Sequence, residues 1–424
     1  MTKIRYLFVV GILIIPGLVS IPIHAGPALE PLTIADANII DMIYQVNESL
    51  LYYYNTHLTA FGPRATGTEN SMKASQYIYD EFHAMGLAVE YHNWTYQQFS
   101  DRNVVATLPG ADPSSNATFI ISAHHDTVSV SPGADDDASG VAAVLATAKI
   151  LSQYTFQYTI RFITFSGEEK GLDGSYLYAR DAYQREDNIV AVINLDTIGF
   201  ANTTEGGRTL LFFYTERSKW IGDFAQTVSR LYKNQTNMSV DLWLGSSKSD
   251  QQSFVEYGFD AILMLEYDWR YSLENTPDDT TDRLNWTYLT KATKLCLAVV
   301  GELASTPIEL QVIITKPYEG FFYFFNYPLS RLVFKNIGRV LGLRGTTVIL
   351  GTANVNVNVT PYTDIKYVLF GIDGYIMYVR YGAAPQYEWK NLRYYSHIGR
   401  YDLEIYAYDT SGRVASDEMN YILI

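Results

Sequence analysis

Hydrophobic residues follow two different spacings in the first three hundred positions of the chain. Over residues 71–85 they recur every three or four positions, which predicts an amphipathic helix. Over residues 117–123 they are consecutive, which predicts a buried strand. The two signals alternate, with further strands predicted at 104–108, 159–165, 189–195, 210–214 and 261–265 and further helices at 34–57, 138–154 and 286–304. This alternation is typical of an α/β fold with a mixed, mostly parallel central sheet flanked by helices.

The pattern changes near residue 306. Beyond it the helical spacing is lost, and residues 354–359 alternate strictly between Asn and Val, which predicts a half-exposed strand within 346–359. Further strands are predicted at 365–372 and 403–408, with turns at Asp373-Gly374 and Ser411-Gly412. Residues 1–305 carry 20 basic and 35 acidic residues, whereas residues 306–424 carry 11 and 10. We therefore expect an α/β domain over 30–305 and an all-β, immunoglobulin-like sandwich domain over 306–424.

The N-terminus has the order of a secretory signal. Lys3 and Arg5 precede an apolar run over residues 6–23, and Ala25 offers a small-residue cleavage site. Residues 1–25 are predicted to be a signal peptide, with an uncleaved N-terminal anchor as the alternative. Both place the rest of the chain outside the cytoplasm, either extracellular or associated with the cell surface. Eight Asn-x-Ser/Thr sequons are candidate glycan acceptors, at Asn47, Asn93, Asn116, Asn202, Asn234, Asn237, Asn285 and Asn358.

Composition excludes several classes of protein. The chain has 45 acidic and 31 basic residues, so it lacks the positive charge with which nucleic-acid-binding proteins displace counterions. Its one cysteine, Cys296, permits no intrachain disulfide and no cysteine-rich zinc finger, and we expect it to be a buried packing residue. With 48% hydrophobic residues, the chain can bury a sizeable core.

Acidic residues and histidine gather directly after predicted strands or at the start of a predicted helix. The clusters are His124-His125-Asp126, Asp135-Asp136-Asp137, Glu168-Glu169 and Asp196. The carboxyl ends of strands in an open α/β sheet line the ligand crevice, so these side chains are expected to meet. So many carboxylates repel one another unless cations neutralise them. The sequence therefore predicts a site for divalent metal ions.

Over about residues 35–304 the chain resembles the zinc exopeptidases of metallopeptidase family 28, of the bacterial leucyl-aminopeptidase type. The motifs that carry the resemblance are Phe-Gly-Pro-Arg-x-x-Gly at 61–67, Ala-His-x-Asp at 123–126, Gly-Ala-Asp-Asp-Asp-Ala-Ser-Gly at 133–140, Gly-Glu-Glu-x-Gly-Leu-x-Gly-Ser at 167–175, Asn-Leu-Asp at 194–196 and Ser-Asp at 249–250. The resemblance implies the zinc exopeptidase fold and two bound Zn²⁺ ions. Within the first of these motifs, Arg64 is expected to be a structural anchor.

The resemblance also implies roles for individual residues. His124 and Asp196 would bind the first metal, Asp136 would bridge both metals, and Glu169 would bind the second. Asp126 would hydrogen-bond to the imidazole of His124 and orient it. Glu168 would be the general base, which takes a proton from the attacking water and passes it to the leaving amine.

One departure from the family pattern concerns the second metal. The family has a His in a His-Thr-Pro-x-Asp-Thr motif, but this chain has Asn275 at that position. An amide oxygen is a weaker zinc ligand than an imidazole. Three consequences remain open: Asn275 or Glu274 ligates a more weakly bound second metal, the enzyme works with one metal, or catalysis is lost.

The predicted function is that of a secreted zinc-dependent aminopeptidase, which hydrolyses N-terminal residues from peptides with a metal-activated water. A carboxypeptidase, a one-metal acyltransferase similar to glutaminyl cyclase, and a cell-surface binding protein with a weakened site are the alternatives. Spare acidic groups, either Glu274 or the pair Asp135 and Asp137, are candidates to bind the substrate's ammonium group, although helix capping is the simpler role for them. The aromatic residues Tyr318 and 321–325 are expected mainly to pack the second domain and its junction, with a surface that contacts glycans or the cell envelope as the alternative.

Overall fold

The computed structural model describes residues 32–113, 115–185, 187–245, 248–269, 273–306, 310–329, 347–360, 365–384, 386–392, 397–409 and 414–424. The predicted signal segment, residues 1–25, and the turn predicted at Ser411-Gly412 lie outside this part of the chain. No helix in the described residues is both long and apolar enough to cross a membrane.

Eight strands of the first part of the chain form one sheet with the order β1-β2-β4-β3-β5-β8-β6-β7. The strands are β1 (Ala88–Tyr96), β2 (Phe99–Leu108), β3 (Thr118–His124), β4 (Thr159–Phe165), β5 (Ile189–Leu195), β6 (Thr209–Tyr214), β7 (Ser239–Leu244) and β8 (Ala261–Glu266). β3 pairs in parallel with both β4 and β5, and β5 pairs in parallel with β8. β1 and β2 are antiparallel additions at one edge. The predicted α/β fold with a mixed, mostly parallel sheet is confirmed.

Helices cover both faces of this sheet. They are α1 (Ala37–Gln45), α2 (Glu48–Thr59), α3 (Glu69–Ala84), α4 (Ala138–Leu151), α5 (Asp173–Gln184), α6 (Lys219–Leu231), α7 (Lys233–Thr236), α8 (Gln251–Glu256) and α9 (Trp286–Ser305). The helix predicted over 34–57 is two helices, because Asn47 has an extended backbone and its side chain caps α2 by accepting a hydrogen bond from the Leu50 amide. The thiol of Cys296 is buried inside α9, as expected for a packing residue.

α4 is the helix most deeply enclosed in the core. Ala, Val and Leu surround its axis, and it packs between the sheet and the helices α2 and α9. A helix that is hydrophobic on all sides is typically buried in the core, whereas a surface helix is amphipathic. Gly140 is required in its first turn, because a Cβ atom there would lie 2.5 Å from the Asp137 carboxylate. The start of α4 is thereby packed directly against the acidic loop that precedes it.

The last part of the chain folds into two β-sheets around a separate core. Seven strands have the order β11-β10-β12-β18-β17-β14-β15, and three have the order β16-β13-β9. The strands are β9 (Gln311–Lys316), β10 (Phe322–Phe324), β11 (Tyr327–Leu329), β12 (Thr347–Leu350), β13 (Val355–Thr360), β14 (Ile365–Ile372), β15 (Tyr375–Tyr381), β16 (Gln386–Trp389), β17 (Gly399–Asp409) and β18 (Val414–Leu423). This is the expected β-sandwich. Its immunoglobulin-like topology and the domain boundary at 305/306 stay predictions.

Aromatic rings join the two parts of the molecule. Tyr318 packs against Tyr183 of α5 with 4.1 Å between ring centroids. Tyr318, Phe321 and Tyr323 are buried, whereas Phe324 and Phe325 are about half exposed. The aromatic segment therefore serves mainly as packing, in line with the simpler expectation.

The two parts of the molecule also enclose a cavity of about 350 Å³ at their junction. The sequon residue Asn358 lines this cavity and is 4% exposed. A glycan attached there would have no room, so Asn358 is a poor candidate acceptor in the folded chain.

Truncation of a buried side chain of α4 tests this description of the core. Leu145→Ala is expected to lower the free energy of unfolding by about 2–5 kcal/mol, because it leaves a cavity in a close-packed region. Urea denaturation followed by circular dichroism measures the change. Leu244→Ala, at a position that is 60% exposed, is the matched control and is expected to change stability by less than about 0.5 kcal/mol.

Candidate metal centre

His124 is the last residue of β3, and it lies between the ends of β4 and β5 because these two strands flank β3 in the sheet. Its side chain is 1% exposed. Its Nε2 atom lies 3.1 Å from Oδ1 of Asp136 and 3.7 Å from Oδ1 of Asp196. The structure thus brings together three of the residues that the sequence assigned to metal binding.

The other ring nitrogen of His124 faces Asp126. Nδ1 lies 3.1 Å from the Asp126 carbonyl oxygen and 3.6 Å from its Oδ1. The carboxylate of Asp126 also accepts hydrogen bonds from the backbone amides of Glu168 and Glu169. Burial opposes ionisation of Asp126, but hydrogen bonds from His124 and Thr66 keep its pKa below the ordinary value. This residue therefore fixes the imidazole and the glutamate turn at the same time.

The three successive aspartates have different partners. Oδ1 of Asp137 accepts from the Gly140 and Thr197 amides, and its Oδ2 accepts from the His124 amide. Oδ1 of Asp135 accepts from the Gly199 amide at 2.8 Å. Asp136 in contrast directs its carboxylate at the His124 imidazole.

Ligand atoms of His124, Asp137 and Asp196 lie within 4.8 Å of one another, which makes Asp137 a geometric alternative to Asp136. We favour Asp136 as a metal ligand, because both oxygens of Asp137 already accept backbone hydrogen bonds. The bridging role of Asp136 itself stays a prediction.

Glu168 and Glu169 form a short 3₁₀ turn directly after β4. The turn begins at Gly167, whose φ is +79°, and a Cβ atom there would lie 2.8 Å from the Trp94 ring. Burial and the negative charges of Asp196 and Asp250 raise the pKa of Glu168 well above its ordinary value, against the effect of His124. Burial and the charge of Asp136 raise the pKa of Glu169 to about 8.

Three carboxylates in and around the site have buried oxygens without a hydrogen-bond partner among the described residues. These oxygens are Oε1 of Glu169, Oδ2 of Asp135 and both oxygens of Asp250. Burial, assisted by the charges of Asp126 and Asp196, raises the pKa of Asp250 to about 7. Asp250 was not among the predicted site residues, although the Ser-Asp motif at 249–250 marked its position.

Asn275, the residue at the position of the missing histidine, is exposed and has a φ of +60°. Its side-chain amide donates a hydrogen bond to Oε1 of Glu274, with 3.4 Å between the two atoms. Glu274 lies at the solvent-exposed rim, yet burial of its carboxylate and the charges of Asp136 and Asp196 raise its pKa to about 7. Whether Asn275 binds a metal stays a prediction.

Asp279 holds the acidic loop from outside the predicted site. Its two carboxylate oxygens accept hydrogen bonds from the backbone amides of Asp135 and Asp136, at 2.9 and 3.2 Å. It belongs to the same segment as Asn275, and only the Thr-Pro-Asp-Asp-Thr sequence at 276–280 indicated it. The acidic loop is therefore tied to the segment that carries the departure from the family pattern.

Arg64 holds the same region from the other side. Its guanidinium is fully buried and donates hydrogen bonds to the carbonyl oxygens of His125, Pro132 and Gly133, at 2.8, 2.6 and 3.1 Å. Burial lowers the pKa of Arg64 to about 10, which still leaves it charged at neutral pH. This is the structural anchor expected from the Phe-Gly-Pro-Arg motif.

The residues present fit a divalent cation. One imidazole nitrogen and several carboxylate oxygens converge, and the unpartnered Oε1 of Glu169 needs a positive partner inside the protein. Zinc binds this combination of ligands.

Comparison with known proteins identifies the family of this centre. The sequence of residues 103–300 matches the sequence model of peptidase family M28. The chain carries a peptidase domain of family M28. This domain contains His124, Asp136, Glu168, Glu169 and Asp196, and the predicted resemblance is confirmed.

Similar proteins agree with this assignment. A probable leucine aminopeptidase of Arthroderma otae is 28% identical over 304 residues, which are 66% of this chain and 79% of that protein. LapB from Legionella pneumophila has a TM-score of 0.58 and 24% identity, with 66% of this chain and 79% of LapB covered. BSAP, a zinc aminopeptidase from Bacillus subtilis, has a TM-score of 0.55 and 17% identity, with 61% of this chain and 96% of BSAP covered. The two structures establish the fold, and the M28 match confirms the predicted metallo-exopeptidase class of enzyme.

Removal of divalent cations from this M28 domain is expected to make its stability depend on pH. Asp135 and Asp250 have folded-state pKa values of about 8 and about 7, whereas an unfolded Asp titrates near about 4. Between these values the folded state binds more protons, so the stability of the metal-free protein falls as pH rises from about 4 to about 8. Urea denaturation of chelator-treated protein at pH 5 and pH 8 measures this fall.

Protein reloaded with zinc is the control for that measurement. A bound cation favours the ionised carboxylates, so the loaded protein is expected to lose much less stability over the same range. Equal stability of the metal-free protein at both pH values would contradict the close packing of these carboxyl groups.

Arg64→Lys tests the anchor. A lysine keeps the positive charge but reaches only some of the three carbonyl oxygens, so we expect a loss of about 1–3 kcal/mol in unfolding free energy. Arg230→Lys, at an exposed position, is the matched control. Unchanged stability in Arg64→Lys would mean that the hydrogen bonds of Arg64 to the carbonyl oxygens of His125, Pro132 and Gly133 do not stabilise the fold.

Proposed function

We propose that this protein is an extracellular, metal-dependent aminopeptidase that releases the N-terminal residues of peptides. The observation that supports it most strongly is the convergence of the His124 imidazole with the carboxylates of Asp136 and Asp196, next to Glu168. Similar proteins named leucine aminopeptidase support the choice of an aminopeptidase within the family.

His124, Asp136, Asp196 and Glu169 are the residues that would hold the cations. A bound zinc ion lowers the pKa of a water molecule and polarises the scissile carbonyl. The family implies two ions, and their number in this chain is part of the proposal. The oxygens of Asp126 contact the Nδ1 atom of His124. This contact orients the imidazole and leaves its Nε2 atom free to bind the cation.

Glu168 is proposed as the general base. The Asp126 carboxylate accepts the hydrogen bond of its backbone amide at 3.2 Å, which fixes the turn. Its neighbour Glu169 is assigned to the metal, so the carboxylate of Glu168 stays free for proton transfer beside His124 and Asp196. It accepts a proton from the attacking water and then donates this proton to the amine that leaves.

An aminopeptidase must also recognise a free α-ammonium group. Of the three acidic candidates, Asp135 and Asp137 are buried and accept backbone hydrogen bonds, and Asp137 caps α4. Glu274 remains, and it is exposed at the rim, close enough to Asp136 and Asp196 for their charges to act on its carboxylate. We assign the ammonium contact to Glu274, whose removal is expected to raise KM more than it lowers kcat.

Export is the second part of the proposal. It is supported by the basic-then-apolar order of residues 1–25 and by the sequons that lie on the described surface, such as Asn93 and Asn202. Expression in a eukaryotic secretory host, followed by sequencing of the N-terminus of the product, tests it. A mature chain that begins just after residue 25 is expected, and a product retained in the cytoplasm with Met1 intact would overturn this part.

The other functions predicted from the sequence are not favoured. Peptides with a free or an acetylated N-terminus distinguish the aminopeptidase from the carboxypeptidase, because only the aminopeptidase requires the free amine. A peptide with N-terminal Gln distinguishes it from a cyclase. Release of glutamine is expected, and ring closure without hydrolysis would support the acyltransferase.

Glu168→Gln tests the mechanism. The substitution removes the base but keeps a side chain of similar shape, so turnover of leucyl-p-nitroanilide is expected to fall by about 10²–10⁴-fold with unchanged zinc content. Glu216→Gln, at an exposed position, is the matched control and is expected to retain activity. A Glu168→Gln enzyme with the wild-type rate would show that another group is the base.

A further inference from the structure

Only one imidazole is available to the metal centre in the described part of the chain. His124 occupies the first position, and the ring of the neighbouring His125 is buried next to Thr164, with 3.2 Å between Nδ1 and Oγ1. His57 and His92 make other contacts, with the Tyr53 carbonyl oxygen and with Asp181. His83 stacks on Tyr79, and His397 is exposed in the second domain.

The second metal position is therefore surrounded by oxygen atoms. Glu169 has one buried oxygen that no described residue satisfies. Asp136, whose Oδ1 lies 3.1 Å from Nε2 of His124, contributes further carboxylate oxygens to the centre. At the closing position Asn275 engages its amide nitrogen with Glu274, so any ligand from this pair is a carboxylate or amide oxygen.

Ligand type decides which divalent ion such a position favours. Imidazole favours zinc, whereas carboxylate and carbonyl oxygens suit harder ions such as Mn²⁺ and Mg²⁺. In a set without nitrogen, zinc loses much of its advantage over manganese, and the choice then depends on geometry and on the supply of each metal. The replacement of a histidine by Asn275 thus changes the kind of ion bound as well as the strength of binding.

We propose that the centre is mixed, with zinc at the His124 position and a harder divalent ion, for which Mn²⁺ is the probe, at the Glu169 position. The proposal rests on the metallo-aminopeptidase function given above. It assigns to Asn275 a role in metal selectivity, while Glu274 keeps the ammonium contact proposed above.

A competition between metals tests this inference. Metal-free protein is dialysed against buffer in which Mn²⁺ is in about hundredfold excess over Zn²⁺, because zinc binds most sites more tightly than manganese. The metal content is then measured by inductively coupled plasma mass spectrometry. The wild-type chain is expected to retain about one zinc and about one manganese, and the manganese should give the broadened electron paramagnetic resonance signal of a protein-bound ion. Asn275→His is expected to bind about two zinc ions per chain. Its manganese content is expected to be about tenfold lower than that of the wild type, or less.

Asn237→His is the matched control, because Asn237 is also exposed and has a similar positive φ of 51°. It is expected to leave the ratio of manganese to zinc unchanged. Two zinc ions in the wild-type chain, one zinc without manganese, or equal ratios in the wild type and Asn275→His would each overturn the inference.

His124→Ala separates this inference from the proposed function. The variant is expected to lose its zinc, because the only imidazole of the centre is gone. If it retained as much zinc as the wild type, the metal centre itself would be misplaced and the proposed function would fail. Loss of zinc in His124→Ala together with two zinc ions in the wild type would leave the function intact and refute only the mixed centre.

Discussion

The repulsion between buried carboxylates is the constraint on which the rest of this structure depends. Asp136 and Asp196 lie within 4 Å of one imidazole, and the buried oxygens of Glu169 and Asp250 have no protein partner among the described residues. A cluster of this kind is unfavourable in a protein interior unless protons or cations neutralise it. The buried α4 and the parallel strands β3, β4 and β5 provide the rigid frame that keeps these groups together despite the repulsion.

The acidic side chains of the site have two different roles, and their hydrogen bonds to the backbone distinguish these roles. Asp126, Asp137 and Asp279 accept backbone amides and thereby hold the loops, whereas Asp136 and Glu169 keep oxygens that face the centre. This division is the reason that neighbouring residues of the same type differ in function. The motif around residue 275 is relevant to both roles, since Asp279 positions the acidic loop and Asn275 stands where the family pattern predicts a metal ligand.

The sequence predicted the strands β3, β4 and β5 well, because a short run of consecutive apolar residues between turns is typical of a central parallel strand. It also placed His124, Asp136 and Asp196 together, because all three follow strands or open a helix of one sheet. The sequence did not predict the edge strand β7. None of the side chains of β7 is buried, so its residues show no clear hydrophobic pattern. The contact of Asp279 with the amides of Asp135 and Asp136 spans more than 140 residues, and no local signal indicates such a pairing. The break at Asn47 was missed because the helical hydrophobic spacing continues across it.

Anomalous X-ray diffraction at the zinc absorption edge, on crystals of the zinc-loaded protein, tests the central claim most directly. A strong peak is expected at about 2.0–2.1 Å from Nε2 of His124, with Asp136 and Asp196 among its ligands. The peak is expected to be lost in crystals of His124→Ala. A zinc peak elsewhere in the molecule, with none near His124, would contradict the assignment of this centre.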